Sequence, residues 1–295
     1  MKPINLFLEE VRGWQTVGDP RPEQLWDARV QIHWAAQIVA AANLTFLEPV
    51  PDDSHTAMTW VPGPDLLAGH LTPEPNAFRL ALRPADLRLL LLSRHGGTIG
   101  EFALPGRTLE DGHTWLRMAL AGYTGRPLEI EIKRPTYQLP QHPVSNGQPF
   151  SLHPANAFAE VARWFGNAHL VLGHVTRTIP TASSVRCWPH HLDLATLIHL
   201  DPEAEPEKRR FVGVGLAPGD DYYREPYWYA SPWPYPKTKS LPELEGDGEW
   251  KTDGTFMAAL PASRVVRAAT PEGQLEKVTT FLQSAVEGCY RLLEA

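Results

Sequence analysis

Apolar residues recur every three or four positions in four long stretches of the chain. In the first stretch Leu25, Ile32 and Val39 mark one face, and Pro22 stands where a first helical turn tolerates proline. The last stretch repeats the pattern around Phe281. This spacing predicts amphipathic helices over residues 22–43, 109–121, 154–173 and 271–293.

Short apolar or alternating runs between turn residues fill much of the remaining sequence. The runs on either side of Arg83-Pro84-Ala85-Asp86 predict a hairpin, because a turn sequence separates them. Together with the helices, these runs predict an α+β fold, mainly antiparallel sheet with helices packed on it. The predicted strands lie at 55–61, 78–82, 87–93, 98–104 and 128–133, within 185–200, and at 210–217, 226–231 and 255–260.

The order of predicted elements recurs along the chain, since a helix, several strands and a closing helix occur twice. The strand before the closing helix ends in EFALP at Pro105 in one half and in FMAALP at Pro261 in the other. A proline-rich passage at 127–154 separates the two. We therefore expect two α+β halves, residues 1–140 and 141–295, packed as one globular unit. They either derive from an internal duplication or resemble one another by chance.

The composition disfavours several classes of protein. With 27 basic and 34 acidic side chains the formal charge is −7, which argues against nucleic acid as a partner. Two cysteines, Cys187 and Cys289, cannot form a disulfide framework. Glu9 and Glu10 interrupt the apolar start that a signal peptide needs, and the longest aliphatic run, 89–92, is too short to cross a bilayer. We expect a cytoplasmic protein that binds neither nucleic acid nor membranes.

Proline and aromatic residues gather in one region of the chain. The sequence contains 29 prolines and 10 tryptophans, and this share of proline is about twice the average. Just before this region, Phe211-Val212-Gly213-Val214-Gly215 places both glycines on one face of a predicted strand, which leaves a gap that another group can approach closely. The aromatic residues that follow either line a pocket or pack against the core. They are Tyr222, Tyr223, Tyr227, Trp228, Tyr229, Trp233 and Tyr235.

Two adjacent histidines shortly precede an aspartate in the predicted strand within 185–200. If this strand continues past Pro189, alternation places His191 and Asp193 on one face and His190 on the other. An imidazole beside a carboxylate can bind a metal, act as an acid–base pair, or bond to backbone groups at a strand end. His190, His191 and Asp193 are therefore the candidate ligands if the protein holds a divalent metal, and the sequence leaves the cofactor unknown.

Further polar candidates lie in the first half of the chain. His33 and Gln37 are one helical turn apart and share a face of the first predicted helix. His55 follows Ser54 in a proline-rich connection. Each histidine is either a binding residue or a structural residue whose hydrogen bonds are satisfied.

Several motifs resemble, in the same order, those of an uncharacterised bacterial family known as a domain of unknown function. In that family a helix contains H-x-x-x-Q-I-V, a strand ends in F-D-L-A, an aromatic stretch begins with E-P, and the terminal helix contains F-L-Q-S. The resemblance covers nearly the whole chain. The matching segments are His33 with Gln37-Ile38-Val39, His55, Asp193-Leu194-Ala195, Glu225-Pro226 with Tyr229, and Phe281-Leu282-Gln283-Ser284.

The resemblance implies that the matched polar residues share one cavity, and it implies no activity. This chain departs from the family at Pro189-His190-His191, where the family has Trp-Gly-Ser. A metal site at the tandem histidines would therefore not be a general property of the family.

We expect the protein to bind a small molecule in a polar and aromatic pocket between its halves. Two alternatives stay open: a metal-dependent enzyme that uses His and Asp ligands, and a protein-interaction module with an exposed proline–aromatic stretch. Burial of Trp228 and Tyr229 would count against the second alternative. The ligand, the reaction, the catalytic residues and the oligomeric state stay open. The predicted binding residues are His33, Gln37, His55, Trp188, Asp193, Tyr222, Glu225, Tyr227 and Tyr229.

Overall fold

A computed structural model describes residues 12–73, 76–125, 131–205, 208–238 and 240–294, and the α+β fold is confirmed, with two antiparallel sheets. Among the described residues, no helix is long and apolar enough to cross a membrane. The helices are α1 (Trp26–Phe46), α2 (Leu109–Thr124), α3 (Ala155–Thr178), α4 (Ala262–Val265) and α5 (Pro271–Glu294). The strands are β1 (Thr59–Val61), β2 (Leu66–Ala68), β3 (Phe78–Arg83), β4 (Arg88–Ser93), β5 (Thr98–Ala103), β6 (Arg186–Trp188), β7 (Asp193–His199), β8 (Phe211–Ala217), β9 (Tyr227–Trp233), β10 (Glu249–Lys251) and β11 (Met257–Pro261).

The described residues form two compact units. The N-terminal unit contains residues 24–162 and 186–192, and the C-terminal unit contains residues 12–23, 163–185 and 193–294. The sequence analysis places its division at residue 140, whereas the units divide within α3. The predicted helix at 154–173 is therefore confirmed as an element but does not belong to one unit alone.

In the N-terminal unit five strands follow one another in the order β1-β2-β3-β4-β5, each antiparallel to the next. The predicted hairpin forms between β3 and β4, where Arg83 and Asp86 pair at 2.7 Å across the turn. The predicted strand at 55–61 shortens to β1 because residues 54–56 form a 3-10 turn. Of the strand predicted at 128–133, residues 128–130 lie outside the described residues, and 131–133 are not in a strand.

Helix α1 is buried along most of its length, and several of its polar side chains are buried with it. It packs against α2 and β3. His33, Gln37 and Asn43 each expose less than a twentieth of their surface. Because buried polar groups need hydrogen-bond partners, such side chains fix neighbouring segments. Asn43 does so by donating to the carbonyl oxygens of Thr56 and Ala57, at 3.3 and 3.2 Å.

In the C-terminal unit the strands lie in the order β10-β11-β9-β8-β7, and all neighbours are antiparallel. Ala195, Gly215, Tyr229 and Ala259 stand directly opposite one another on β7, β8, β9 and β11. Their side chains therefore share one face of the sheet. Helix α5 packs against β9 and β8. The sequence analysis does not predict β10, which is only three residues long.

The strand predicted within 185–200 is interrupted, and the predicted alternation through the histidines is therefore wrong. Strand β6 ends at Trp188, a turn covers residues 189–192, and β7 begins at Asp193. Leu192 has a φ of 61°, a left-handed conformation that does not fit a continuous strand. His190 and His191 consequently lie in the turn, within the N-terminal unit, whereas Asp193 begins a strand of the C-terminal unit.

The predicted recurrence of elements is present along the chain, as α1, β1–β5 and α2, and then as α3, β7–β11 and α5. The strand order differs between the two sheets. In the first sheet the strands lie side by side in the order in which they occur along the chain. In the second sheet β11 lies between β9 and β10. An internal duplication stays a prediction.

Candidate functional site

The hydroxyl group of Tyr229 crosses β8 and reaches Asp193 on β7. It donates a hydrogen bond of 2.5 Å to Asp193 Oδ2. Gly215, opposite Tyr229 on β8, makes room for the phenol, because a Cβ at this position would lie 2.7 Å from the Tyr229 hydroxyl oxygen. The same Cβ would lie 2.6 Å from the carbonyl oxygen of Leu194. The gap predicted beside Gly215 is thus filled by the protein's own tyrosine.

Two further tyrosines extend from Tyr229 along the same region. Tyr227 precedes it by two residues on β9 and so shares its face. The small residue opposite Tyr227 on β8 is Ala217, which leaves space for the ring. Tyr223 packs on Tyr227 with 4.9 Å between ring centroids, and Tyr227 lies 6.1 Å from Tyr229. We call Tyr223, Tyr227 and Tyr229 the tyrosine row.

Each hydroxyl group of the tyrosine row donates to a different carboxylate. Besides the Tyr229 bond, Tyr227 donates to Asp220 Oδ2 at 2.5 Å, and Tyr223 donates to Glu249 Oε1 at 2.8 Å. Hydrogen bonds with an ionised acceptor are shorter and stronger than neutral ones. These bonds therefore fix the orientation of all three phenols. We call Asp193, Asp220 and Glu249 the row carboxylates.

Two of the row carboxylates have both oxygens satisfied. Asp220 Oδ1 accepts from the backbone N–H groups of Tyr222 and Tyr223, at 2.8 and 3.1 Å. Glu249 Oε2 accepts from the guanidinium group of Arg264, with which it forms an ion pair. Both carboxylates therefore orient the protein's own groups, and each of their oxygens has a protein partner.

Asp193 differs from the other two. It is only 6% exposed, and its Oδ1 atom is buried without a hydrogen-bond partner among the described residues. A buried polar atom that lacks a partner is unfavourable, because it has lost its hydrogen bonds to water. Asp193 Oδ1 is therefore the atom of the tyrosine row region that is suited to meet a ligand.

The phenols of the tyrosine row stay protonated. Burial, followed by the negative charge of Asp193, raises the pKa of Tyr229 well above its usual value. Burial, followed by the charge of Asp220, raises the pKa of Tyr227 in the same direction. Burial and the hydrogen bond to Glu249 raise the pKa of Tyr223. The row consequently presents neutral phenols whose protons are already donated to carboxylates.

In the N-terminal unit, His33 and Gln37 converge on one backbone carbonyl group. His33 Nε2 and Gln37 Nε2 each lie 2.9 Å from the carbonyl oxygen of Pro189. Tyr137 donates to Gln37 Oε1 at 2.5 Å. The predicted shared face of His33 and Gln37 is confirmed, and it attaches α1 to the turn at 189–192.

The His33 imidazole is held in one neutral tautomer. Since a carbonyl oxygen only accepts, Nε2 carries the proton. Burial, followed by the charge of Arg29, lowers the pKa of His33 to about 3. Nδ1 is buried and has no hydrogen-bond partner in the described part of the chain. These contacts assign His33 a structural role in connecting α1 to the turn.

The predicted metal ligands do not form a metal site. The rings of His190 and His191 lie 4.2 Å apart, and His190 also packs beside Trp188 with 6.0 Å between centroids. Asp193 is bonded to Tyr229. No group of three His, Cys, Asp or Glu side chains that could hold a metal ion occurs in the described ranges. Trp188 accordingly lies with the turn histidines and not in the tyrosine row.

Three further predicted site residues bond to nearby structural groups. Glu225 accepts from both the backbone N–H and the hydroxyl group of Ser263, at 2.6 and 2.9 Å, and so caps the start of α4. The side chains of His55 and Tyr222 bond to backbone groups of other residues. Within the described residues, none of these three side chains bonds to the tyrosine row.

The aromatic stretch divides into a buried and an exposed part. Trp228 has no exposed surface, and Tyr229 is partly buried. Trp233 and Tyr235 are 48% and 47% exposed, with their rings 5.6 Å apart. Burial of Trp228 counts against the interaction-module alternative for the first part of the stretch.

Sequence reasoning missed Asp220, Glu249 and Tyr137. Asp220 follows Gly219 in a turn, and an aspartate there that accepts from backbone N–H groups two and three residues later is a recognisable signal. Glu249 and Tyr137 meet their partners across 26 and 100 residues. No local pattern indicates such contacts.

Comparison of the chain with protein-family models, curated proteins and solved structures finds no match. The resemblance to the uncharacterised bacterial family therefore stays a prediction.

Proposed function

We propose that the C-terminal unit binds a small molecule that donates a hydrogen bond to Asp193 Oδ1. The observation that carries this proposal is the unpartnered oxygen of a buried carboxylate whose other oxygen is held by Tyr229. Buried acceptors in native proteins nearly always have a partner, which is protein, water or ligand. A donor on a ligand would form a charge-assisted hydrogen bond here.

The surroundings of Asp193 support a small ligand. Tyr223 and Tyr229 are partly exposed and Asp193 is only 6% exposed, so a ligand of Asp193 would have to be small and to approach past the tyrosine row. Aromatic walls with a few fixed polar groups are the usual composition of small-molecule sites. Asp193 and Tyr229 are also positions that match the uncharacterised bacterial family.

This proposal keeps the expectations that follow from composition. The chain has 34 acidic and 27 basic side chains, and this excess of negative charge disfavours binding to the phosphates of nucleic acid. We also retain the expected cytoplasmic location. The proposal assigns binding and no reaction.

Binding of small polar compounds to the full chain tests the proposal. Propan-1-ol, propanamide, propylammonium and propionate would each be titrated separately by saturation-transfer NMR. We expect at least one donor-bearing compound to bind the wild type and to lose at least about tenfold in affinity with Asp193→Ala, because a hydrogen bond to a charged group contributes about 1.5–3 kcal/mol. Asp221→Asn, which alters an exposed carboxylate next to Asp220, is the matched control and should bind like the wild type.

Two results would overturn the proposal. One is that none of the four compounds binds the wild type, and the other is that Asp193→Ala binds as tightly as the wild type. Circular dichroism of each variant establishes that it is folded before the affinities are compared. Asp193→Leu, which has a similar size and no hydrogen-bonding atom, replaces the alanine variant if that variant does not fold.

A further inference from the structure

We infer that the ligand at Asp193 is an organic cation with a primary ammonium group. This inference rests on the proposed binding site and adds the charge and the donor of its ligand. Three features carry it: the charge balance of the row carboxylates, the ring faces of the tyrosine row, and the direction of the tyrosine hydroxyl bonds.

The row carboxylates carry more negative charge than their protein partners balance. Glu249 is paired with Arg264. Asp193 and Asp220 instead accept from tyrosine hydroxyl and backbone N–H groups, and neither forms an ion pair within the described ranges. Such hydrogen bonds orient a carboxylate but leave its charge in place. A cationic ligand would supply the counter-charge that the buried carboxylate of Asp193 needs.

The rings of the tyrosine row favour the same charge. Tyr227 lies between Tyr223 and Tyr229, with 4.9 and 6.1 Å between neighbouring centroids. An aromatic face is negative because of its quadrupole and attracts a cation within about 6 Å of the centroid. A cation that approaches Asp193 across the faces of these rings would therefore be attracted by the rings as well as by the carboxylate.

The hydroxyl groups of the row disfavour an anion. All three protons point at carboxylates, so no phenol is left to donate to an anionic ligand. An anion would also lie near the negative charges of Asp193 and Asp220, which form no ion pair in the described part of the chain. Asp193 Oδ1 requires a donor, and a quaternary ammonium group has none. A primary ammonium group satisfies both the charge and the hydrogen bond.

Probe compounds of matched size distinguish the effect of the ligand's charge on affinity from the effect of its shape. Propylammonium and propan-1-ol have similar size, and tetramethylammonium carries the charge without an N–H donor. We expect propylammonium to bind the full-length wild type at least about tenfold more tightly than propan-1-ol and more tightly than tetramethylammonium. Asp193→Asn removes the charge. Its one oxygen accepts from Tyr229, so its NH2 group faces the ligand, where it can donate to a hydroxyl group but not to an ammonium group. This variant should weaken propylammonium at least about tenfold and change propan-1-ol less than about threefold.

The outcomes distinguish this inference from the proposed function. If propan-1-ol or propanamide binds best, and Asp193→Ala abolishes that binding, the site stands and the cationic ligand is wrong. If Asp193→Asn leaves the affinity for propylammonium unchanged, the cationic ligand is also wrong. If no probe of any charge binds the wild type, both the site and the ligand class are wrong. Asp221→Asn serves again as the control and should preserve the preference for propylammonium.

Discussion

Gly215 and Tyr229 stand directly opposite each other on β8 and β9, and a side chain at Gly215 would occupy the space of the Tyr229 hydroxyl group. The bond from Tyr229 to Asp193 therefore depends on a residue that has no side chain. A glycine inside a strand commonly marks such a close approach.

Gly215→Ala should destabilise the protein and displace the Tyr229 hydroxyl group. The new Cβ would meet the phenol at 2.7 Å and the backbone oxygen of Leu194 at 2.6 Å, and only the phenol can move away. Overpacking of this kind costs about 1–3 kcal/mol. Urea unfolding of the variant measures the loss.

Gly213→Ala is the control for this change. Its Cβ would have 3.6 Å to the nearest atom, on Leu197, which is an ordinary contact. We expect a change in the free energy of unfolding below about 1 kcal/mol, since glycine is also unfavourable within strands. Equal destabilisation by both variants would contradict the role assigned to Gly215.

Tyr227→Phe should make the protein less sensitive to alkali. Burial and Asp220 raise the folded-state pKa of Tyr227 above its usual value of 10.0. The contribution of the neutral phenol is therefore fully present below about pH 10 and is lost as the pH rises towards the folded-state pKa. Between about pH 9 and pH 11 the wild type should lose more stability than the variant, by at most about 1.4 kcal/mol per pH unit. Parallel pH dependences in urea unfolding would refute this account.

His33→Gln should reduce the loss of stability in acid. The folded-state pKa of His33 is lowered from 6.5 to about 3, so between these values the unfolded chain binds a proton that the folded protein does not. The stabilising contribution is present above about pH 6.5 and is lost as the pH falls. Between about pH 7.5 and pH 5 the wild type should lose about 2 kcal/mol more than the variant. Denaturation at the two pH values checks this, and an equal loss in both proteins would show that His33 does not titrate as described.

Glu225→Ala should destabilise the protein without affecting ligand binding. The variant leaves the backbone N–H and hydroxyl groups of Ser263 without their acceptor at the start of α4, which costs about 1 kcal/mol. Glu243→Ala, at an exposed carboxylate, should change stability by less than about 0.5 kcal/mol. Loss of propylammonium binding in the folded Glu225→Ala variant would instead place Glu225 in the site.

The elements that local sequence determines were predictable. The hairpin of β3 and β4 follows from the turn at Arg83 to Asp86, and α5 follows from its apolar periodicity. The break at residues 189–192 was not, because it depends on Leu192 adopting a left-handed conformation that leucine rarely takes.

The sequence singles out the residues of the candidate site but not their pairing. Alternation along one predicted strand gives the gap beside Gly215, and the aromatic stretch marks Tyr229, whereas the alternation that placed Asp193 beside His191 is wrong. That Tyr229 fills the gap and bonds to Asp193 depends on the alignment of three strands, which no single segment determines. The Tyr223–Glu249 bond likewise requires a strand that is too short to predict.

Strand β11 lies between β9 and β10 although β10 comes earlier in the chain. Only residues 252–256 separate β10 from β11, so their antiparallel pairing closes a short loop, whereas the pairing of β11 with β9 closes a loop of more than twenty residues. The entropy lost on closure grows with loop length, so the β10–β11 hairpin has the smaller entropic cost of the two pairings. This edge of the sheet can therefore be added as one preformed hairpin, with β11 facing β9 and β10 outermost.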